Sequence, residues 1–154
     1  MKTYLLLALA TGLAGAAKAQ EITAKQVPPA AVASLKKAYP AAKSIKWEKE
    51  DGNYEAEFQQ GADRLSVVIT PAGQLLETET EIRTAQLPAA VRSKLVRAYA
   101  GYQVTEAARI VTAATGATTY EAELRRPGKK MDVIFDANGA VVRTEAGGAK
   151  NGEK

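Results

Sequence analysis

The chain contains one sequence pattern twice, and this internal repeat limits the folds it can adopt. Residues 27–39 align with residues 87–99 at a constant offset of 60, and both segments run from an apolar residue and proline to Ala-Tyr. Further along, Tyr-Glu-Ala-Glu at residues 54–57 recurs at residues 120–123, at an offset of 66. The second copy therefore has six extra residues between these two motifs. A register held over this length predicts two copies of one structural unit.

The first motif of each copy predicts a helix. Proline suits the first helical turn, where the missing N–H would have no partner in any case. Apolar residues then recur at helical spacing, at Ala31, Leu35, Ala38 and Tyr39 and at Val91, Leu95, Ala98 and Tyr99. Because these positions lie on one side of a helix, each helix should pack that side against another layer.

After each helix the apolar residues recur at every second position. In the first copy Trp47, Tyr54 and Phe58 alternate with charged residues, which predicts antiparallel strands with one buried and one solvated side. Glycine-containing turns separate the strands, so each copy should be one helix followed by four strands, with the helix covering the apolar side. In the second copy the first strand is predicted at residues 104–113, with Ala113 at the position of Trp47.

The N-terminus has the features of a secretory signal. Lys2 precedes an apolar run, and Ala17 and Ala19 are small residues at the positions that signal peptidase recognises. The run is shorter than the roughly 20 residues of a membrane-spanning helix, so no span is predicted. Cleavage near Ala19 would leave a periplasmic or secreted protein. The predicted organisation is a signal peptide at 1–19, a first helix–sheet repeat at 20–83, a second at 84–146 and a disordered tail at 147–154.

These motifs resemble the PepSY-like, beta-lactamase-inhibitor-like family of periplasmic proteins. The resemblance rests on the repeated Pro-x-Ala to Leu-x-x-Ala-Tyr segment, on Tyr-Glu-Ala-Glu-Phe at 54–58 and on Leu-Leu-Glu-Thr-Glu at 75–79, and it covers residues 27–145. It implies an α+β fold of two tandem helix-plus-four-stranded antiparallel sheet repeats. This is the architecture of beta-lactamase inhibitor protein, in which an open sheet grips a partner. It implies no established activity.

Charge is distributed unevenly along the chain. Residues 44–82 carry nine acidic and three basic residues, whereas residues 20–43 and 84–110 each have a net charge of +3. The strand glutamates are one position out of phase with the apolar residues, so they should share the open side of the sheet. The residues predicted to bind a partner there are Lys46, Glu48, Glu55, Glu57, Glu77, Glu79, Glu81, Glu121 and Glu123.

An acidic surface of this kind would recognise a cationic protein segment, a basic peptide or a divalent cation. A solvated face that is kept charged for solubility gives the same pattern. Nucleic acid is not an expected partner, because the basic residues lie on helix exteriors without interleaved aromatic residues.

The composition excludes several classes of enzyme. The chain has no Cys and no His, so it has no disulfide framework, no thiolate nucleophile and no imidazole metal ligand. Ser34 to Lys37 matches Ser-x-x-Lys, but the companion motifs are missing and Lys94 replaces Ser34 in the second copy. We therefore predict that the protein is not an enzyme and needs no cofactor.

Asp136-Ala137-Asn138-Gly139 begins like a calcium-binding loop. The remaining ligands of the EF-hand pattern are missing, and a hairpin turn accounts for the motif, so no metal site is predicted. The sequence thus favours a secreted, non-enzymatic binding module that holds or inhibits a protein or peptide partner on open sheet faces. The alternative is a calcium-responsive envelope sensor or accessory protein.

Overall fold

Two helices and nine strands make up the part of the chain that the structure describes. The computed structural model describes residues 20–146, and the predicted signal peptide and C-terminal tail lie outside this range. The elements are β1 (Gln20–Ile22), α1 (Pro29–Ala38), β2 (Lys43–Glu50), β3 (Asn53–Gln60), β4 (Asp63–Ile69), β5 (Leu75–Glu81), α2 (Ala89–Ala98), β6 (Gln103–Thr112), β7 (Thr118–Arg126), β8 (Lys129–Phe135) and β9 (Val141–Ala146). Neither ten-residue helix is long and apolar enough to cross a membrane.

All nine strands form one antiparallel sheet in chain order. The α+β class with a repeated helix-plus-four-strand unit is confirmed, and the two predicted four-stranded sheets are joined into one by pairing of β5 with β6. In this joint Glu79 lies opposite Ile110. The sequence analysis missed β1, because a strand of three residues is too short to show alternation.

Strand β5 belongs to both repeats. At the offset of 60, residues 20–22 of β1 align with residues 80–82. These are the last two residues of β5 and the residue that follows it. Strand β1 also pairs in the same way, since Glu21 lies opposite Glu48 and Glu81 lies opposite Ala108. Each repeat is therefore a strand, a helix and four further strands. Because the last strand of the first repeat is also the first strand of the second, the sheet continues without a break.

A short 3-10 turn with the same side-chain contact precedes each helix. The backbone N–H of Thr23 donates to Gln26 Oε1 at 2.9 Å, and the N–H of Arg83 donates to Gln86 Oε1 at 2.9 Å. The apolar residue after each glutamine is buried. This shared contact directs the chain from the sheet edge into the helix in both repeats.

Both helices pack on the same face of the sheet, over two separate apolar cores. Ala31 and Leu35 of α1 are buried in the first core, and Val91 and Leu95 of α2 are buried in the second. Burying one large apolar side chain contributes about 1.5–3 kcal/mol, so these contacts hold each helix on the sheet. The strand residues of the two cores are Trp47, Tyr54, Ala56, Phe58, Val67 and Ile69, and Ala107, Ala122, Leu124, Val133 and Phe135.

The expected position of the tryptophan equivalent in the second repeat was wrong. Trp47 lies opposite Ala56, and Ala107 lies opposite Ala122, which is the repeat equivalent of Ala56. Ala107, rather than Ala113, therefore occupies the position of Trp47. The reason is that the offset of 60 persists through β6, and the six extra residues lengthen the hairpin between β6 and β7.

Several core positions differ in size between the two repeats. Tyr102 packs against the second core, where its equivalent in the first is Ala42. The Tyr102 ring lies 4.6 Å from the guanidinium carbon of Arg126, the last residue of β7, whereas Ala107 lies opposite Ala122 in the middle of that strand. The positions that differ are Ala42, Trp47, Phe58 and Ile69 in the first core and Tyr102, Ala107, Leu124 and Phe135 in the second.

Two hairpin glycines touch the first turns of the helices. Gly73, between β4 and β5, has φ +87°, and a Cβ added there would lie 2.7 Å from the carbonyl oxygen of Ala30. Gly139, between β8 and β9, has φ +81°, and its Cβ would lie 2.8 Å from the carbonyl oxygen of Ala90. Both the positive φ and the close approach require glycine. Each helix is thus held by a turn of its own repeat as well as by its core.

We predict that Gly73→Ala and Gly139→Ala each destabilise the protein by about 2–3 kcal/mol, because the added methyl group meets backbone atoms that cannot move freely. Gly61→Ala is the matched control, since Gly61 has φ +65° and open space around it. The control should lose only the cost of the left-handed conformation, about 1 kcal/mol. Urea denaturation monitored by tryptophan fluorescence measures the difference, and equal losses in all three variants would contradict the helix contact.

Candidate binding face

Every glutamate between residues 20 and 146 lies in a strand, on the side of the sheet opposite the helices. The strand registers place them there because each is one position away from a residue of the apolar side. Neither helix contains an acidic residue. The sheet therefore has an apolar, helix-covered side and an acidic open side. These glutamates are Glu21, Glu48, Glu50, Glu55, Glu57, Glu77, Glu79, Glu81, Glu106, Glu121, Glu123 and Glu145.

The open side of the sheet is concave. A single cavity of about 310 Å³ is lined by residues of β2 and of β7, including Lys46 and Glu121. In a flat sheet these strands would lie about 24 Å apart, since neighbouring strands are about 4.8 Å apart. The sheet therefore curves around the cavity, and we call the cavity and its walls the acidic groove. Its charged lining residues are Lys46, Glu57, Arg64, Glu79, Glu81, Glu106 and Glu121.

The nine residues predicted to bind a partner all lie on this open side, but the structure brings only some of them into the acidic groove. Lys46, Glu57, Glu79, Glu81 and Glu121 line it. The others lie outside the groove lining and are Glu48, Glu55, Glu77 and Glu123.

Apolar residues also occur on the open side, next to the glutamates. Ile110 of β6 is 5% exposed, Ile134 of β8 is 2% exposed, and neither belongs to the cores under the helices. Ile110 lies directly opposite Glu79, and Ile134 lies opposite Glu121. Burial on an uncovered sheet side is expected where that side is concave. The open face therefore combines carboxylates with an apolar component.

Several glutamates are fixed by neighbours on adjacent strands. The Ser66 hydroxyl donates a hydrogen bond to Glu55, and the guanidinium of Arg64 lies 3.3 Å from the carboxylate of Glu81. Glu48 lies directly opposite Glu55, a like-charge pair that costs a few tenths of a kcal/mol.

Glu123 is the buried glutamate among the predicted binding residues, with 3% of its side-chain area exposed. Its carboxylate lies 2.7 Å from Lys130 Nζ and 2.7 Å from Arg125 Nε, and it accepts a hydrogen bond from Thr105 at 2.5 Å. Burial by itself raises the pKa of this carboxyl, but the hydrogen bonds from Lys130, Thr105 and Arg125 outweigh it and lower the pKa from 4.5 to about 2. Glu123 thus has internal partners for its charge.

The sequence analysis missed Glu106, which lines the acidic groove. Glu106 was counted with residues 84–110, which contain the second helix. The reason is that the alignment placed the six extra residues before β6, whereas they lengthen the hairpin between β6 and β7. Extending the offset of 60 through β6 would have aligned Glu106 with Lys46 and revealed its side of the sheet. The buried isoleucines of the open side could not be found in this way, because their burial results from curvature.

The opposite surface of the protein is basic. The solvent-facing positions of the helices carry Lys36 and Lys37 in α1 and Arg92 and Arg97 in α2. The segregation of charge that the sequence shows along the chain therefore becomes a separation between two surfaces. A partner would meet opposite electrostatic potentials on the two sides.

Within residues 20–146, no group of three or more acidic side chains is placed so that it could hold a metal ion. The carboxylate of Asp136 is used by its own turn, where it accepts hydrogen bonds from the N–H groups of Asn138 and Ala140, both at 2.9 Å. These bonds are those of an Asx turn in a hairpin. No observation on the described residues favours the calcium-responsive alternative.

Comparison with known families gives two matches along the chain. The family model described as "Putative beta-lactamase-inhibitor-like, PepSY-like" matches residues 15–77 and again residues 70–143. The two matches overlap at residues 70–77, where β5, the strand common to both repeats, begins. No functionally curated protein matches the chain.

Solved structures share the fold. A putative periplasmic protein of Bacteroides eggerthii superposes with a TM-score of 0.69 at 22% identity, covering 81% of this chain and 93% of its own. A BLIP-like protein of Bacteroides fragilis superposes with a TM-score of 0.60 at 28% identity, covering 80% of this chain and 87% of its own. The resemblance inferred from the repeated motifs is therefore confirmed.

The lowered pKa of Glu123 predicts an acid-dependent loss of stability. A carboxyl whose pKa is lower in the folded state than in the unfolded state stabilises the fold above pH 4.5, and this contribution is lost as the pH falls from 4.5 to about 2. The loss should be on the order of 3 kcal/mol. Glu123→Gln should remove most of this pH dependence and lower stability at pH 7, since Lys130 loses its partner. Chemical denaturation between pH 7 and pH 2 measures both effects.

The control for this experiment is Glu106→Gln, which changes the carboxylate directly opposite on β6 and leaves the hydrogen bonds of Glu123 in place. This variant should keep the acid-dependent loss. An unchanged pH dependence in Glu123→Gln would contradict the role given to that carboxylate.

Proposed function

The chain belongs to the PepSY-like, beta-lactamase-inhibitor-like family, and from this premise we propose that it is a non-enzymatic binding module. Its acidic groove and the surrounding open face hold a cationic segment of a protein or peptide partner, and in doing so the module inhibits or retains that partner. The observation that carries this proposal is that every glutamate of residues 20–146 lies on the one sheet side that the helices leave uncovered.

The concave shape supports a protein segment as the ligand. A cavity of about 310 Å³ lies at the small end of the range for ligand sites, and acidic strands continue beyond it on both sides. A loop or strand of a partner could place a lysine or arginine in the acidic groove and lay its flanks along the sheet. The backbone of the sheet is fixed by strand pairing, so the carboxylates are held in position before binding.

The same proposal places the protein in the periplasm or outside the cell after cleavage near Ala19. Its support is the N-terminal signal pattern in the sequence and the fold shared with a protein described as a putative periplasmic protein.

The test is a charge reversal within the acidic groove. Glu57→Lys combined with Glu106→Lys should weaken binding of a lysine-rich probe peptide on the order of tenfold or more, because two attractive charges become repulsive. Binding by the unchanged protein should also weaken as salt is raised, since exposed charges are screened over about 8 Å at physiological ionic strength. Isothermal titration calorimetry measures both.

The matched control is Asp51→Lys combined with Asp63→Lys. It changes the net charge equally, but Asp51 lies in the turn between β2 and β3, Asp63 is the first residue of β4, and neither belongs to the groove lining. If the two double variants bind the peptide equally well, the acidic groove is not the binding site. If only the groove variant loses binding, the same pair of variants can be used to capture proteins from an envelope extract, and the natural partner is the protein that the control retains and the groove variant loses.

A further inference from the structure

Strand β9 ends the sheet with a free edge. Within residues 20–146 it pairs with β8 only. At the offset of 66 it corresponds to β5, which pairs on both sides, with β4 and with β6. On the side where β9 has no neighbouring strand, β5 pairs with an antiparallel strand, β6. The repeat therefore indicates that β9 can also pair with an antiparallel strand on that side.

The backbone groups on this free edge can be assigned from the repeat. In β5 the carbonyl of Leu76 accepts a hydrogen bond from the N–H of Ala113, and just after β5 the N–H of Ile82 donates to the carbonyl of Ala107, both at 2.8 Å. Alternate residues of a strand direct their backbone groups to the same side. The equivalent outward residues of β9 are Val142, Thr144 and Ala146.

We propose that β9 pairs with β9 of a second copy of this chain, in an antiparallel register centred on Thr144. In this register Thr144 lies opposite Thr144 of the partner subunit, and Val142 lies opposite Ala146 of the partner subunit. All three outward residues then form hydrogen-bonded pairs. The sheets of the two subunits become one.

Charge complementarity favours a second copy of the chain as the partner of β9. Arg143 and Glu145 are neighbours on the open side, with the guanidinium 2.6 Å from the carboxylate, and each side chain is about half exposed. A two-fold axis through Thr144 places Arg143 directly opposite Glu145 of the partner subunit, and Glu145 opposite Arg143 of the partner subunit. Cross-strand pairs of opposite charge stabilise antiparallel pairing, and this edge therefore complements itself.

The edge also lacks two residue types that prevent pairing, and the bulge that it has opposite β8 occurs in β5 too, where it does not prevent pairing on the other side. Val141 is 42% exposed and Val142 is 56% exposed, and β9 contains neither proline nor lysine, the residues that proteins commonly use to block an edge strand. Because opposed side chains of an antiparallel pair point to the same side, the two acidic faces would lie on the same side of the joined sheet. The dimer would present two acidic grooves to one partner, and two linked sites raise the apparent affinity.

Charge reversal on β9 tests the register. Arg143→Glu and Glu145→Arg, each alone, place like charges opposite each other across the two-fold axis and should weaken the dimer on the order of tenfold. The double variant R143E/E145R restores opposite charges and should dimerise like the unchanged protein. An equimolar mixture of the two single variants should also form dimers, because each then supplies the charge that the other needs. Sedimentation velocity of the purified protein without any partner measures all four samples.

The design separates dimerisation from folding. Glu145 lies opposite Asp132 within its own subunit, so Glu145→Arg gains an attractive neighbour there while it loses the contact with Arg143, and its unfolding midpoint should change little. A monomer at the highest soluble concentration, a dimer that is insensitive to both reversals, or oligomers that grow beyond the dimer would overturn the proposal. A monomer, or a dimer insensitive to the reversals, would show that β9 does not pair with β9 of a second copy. Larger oligomers would indicate that β9 pairs with β1, the strand at the opposite edge of the sheet.

Discussion

The alternation of side chains in a nine-stranded antiparallel sheet is the constraint on which the rest of this structure depends. Because successive residues point to opposite sides, the apolar residues of the strands gather under two helices, and the same alternation places every glutamate of residues 20–146 on the other side. A shift of one strand by a single residue would exchange the two sets. Burial of the cores therefore also fixes the position of the acidic groove.

Sharing β5 between the repeats gives the protein its candidate site. Had each repeat closed its own four-stranded sheet, the acidic strands of β3 and β5 would lie apart from those of β6 and β7. Pairing of β5 with β6 instead makes one sheet, whose curvature brings Lys46 and Glu121 to the same cavity. The acidic groove lies across the joint between the repeats, so neither repeat alone would contain it. The duplication thus supplies the candidate site as well as a second core.

The repeats have diverged in ways that packing tolerates. The second core has Ala107 in place of Trp47 and Tyr102 in place of Ala42, and it has Leu124 and Phe135 where the first core has a phenylalanine and an isoleucine. The glycines at positions 73 and 139 could not diverge, because each has a positive φ and a Cβ added there would lie less than 3 Å from a helix backbone atom. The sequence alignment could locate the helices and the Tyr-Glu-Ala-Glu strands correctly. It misplaced the insertion, because the residues of β6 at the repeat-equivalent positions have changed size and charge.

The repeat, the helix-plus-four-strand unit, the family and the open side of the strand glutamates could all be predicted from the amino-acid sequence, because periodicity and motif spacing are local properties. Four features could be found only in the folded protein: the joining of the two sheets, the concavity of the open side, the place of Glu106 in the groove, and the burial of Glu123 beside Lys130. These features depend on strand pairing between the repeats and on the curvature of the whole sheet. Both arise from contacts between residues that are distant along the chain, and no local pattern encodes them.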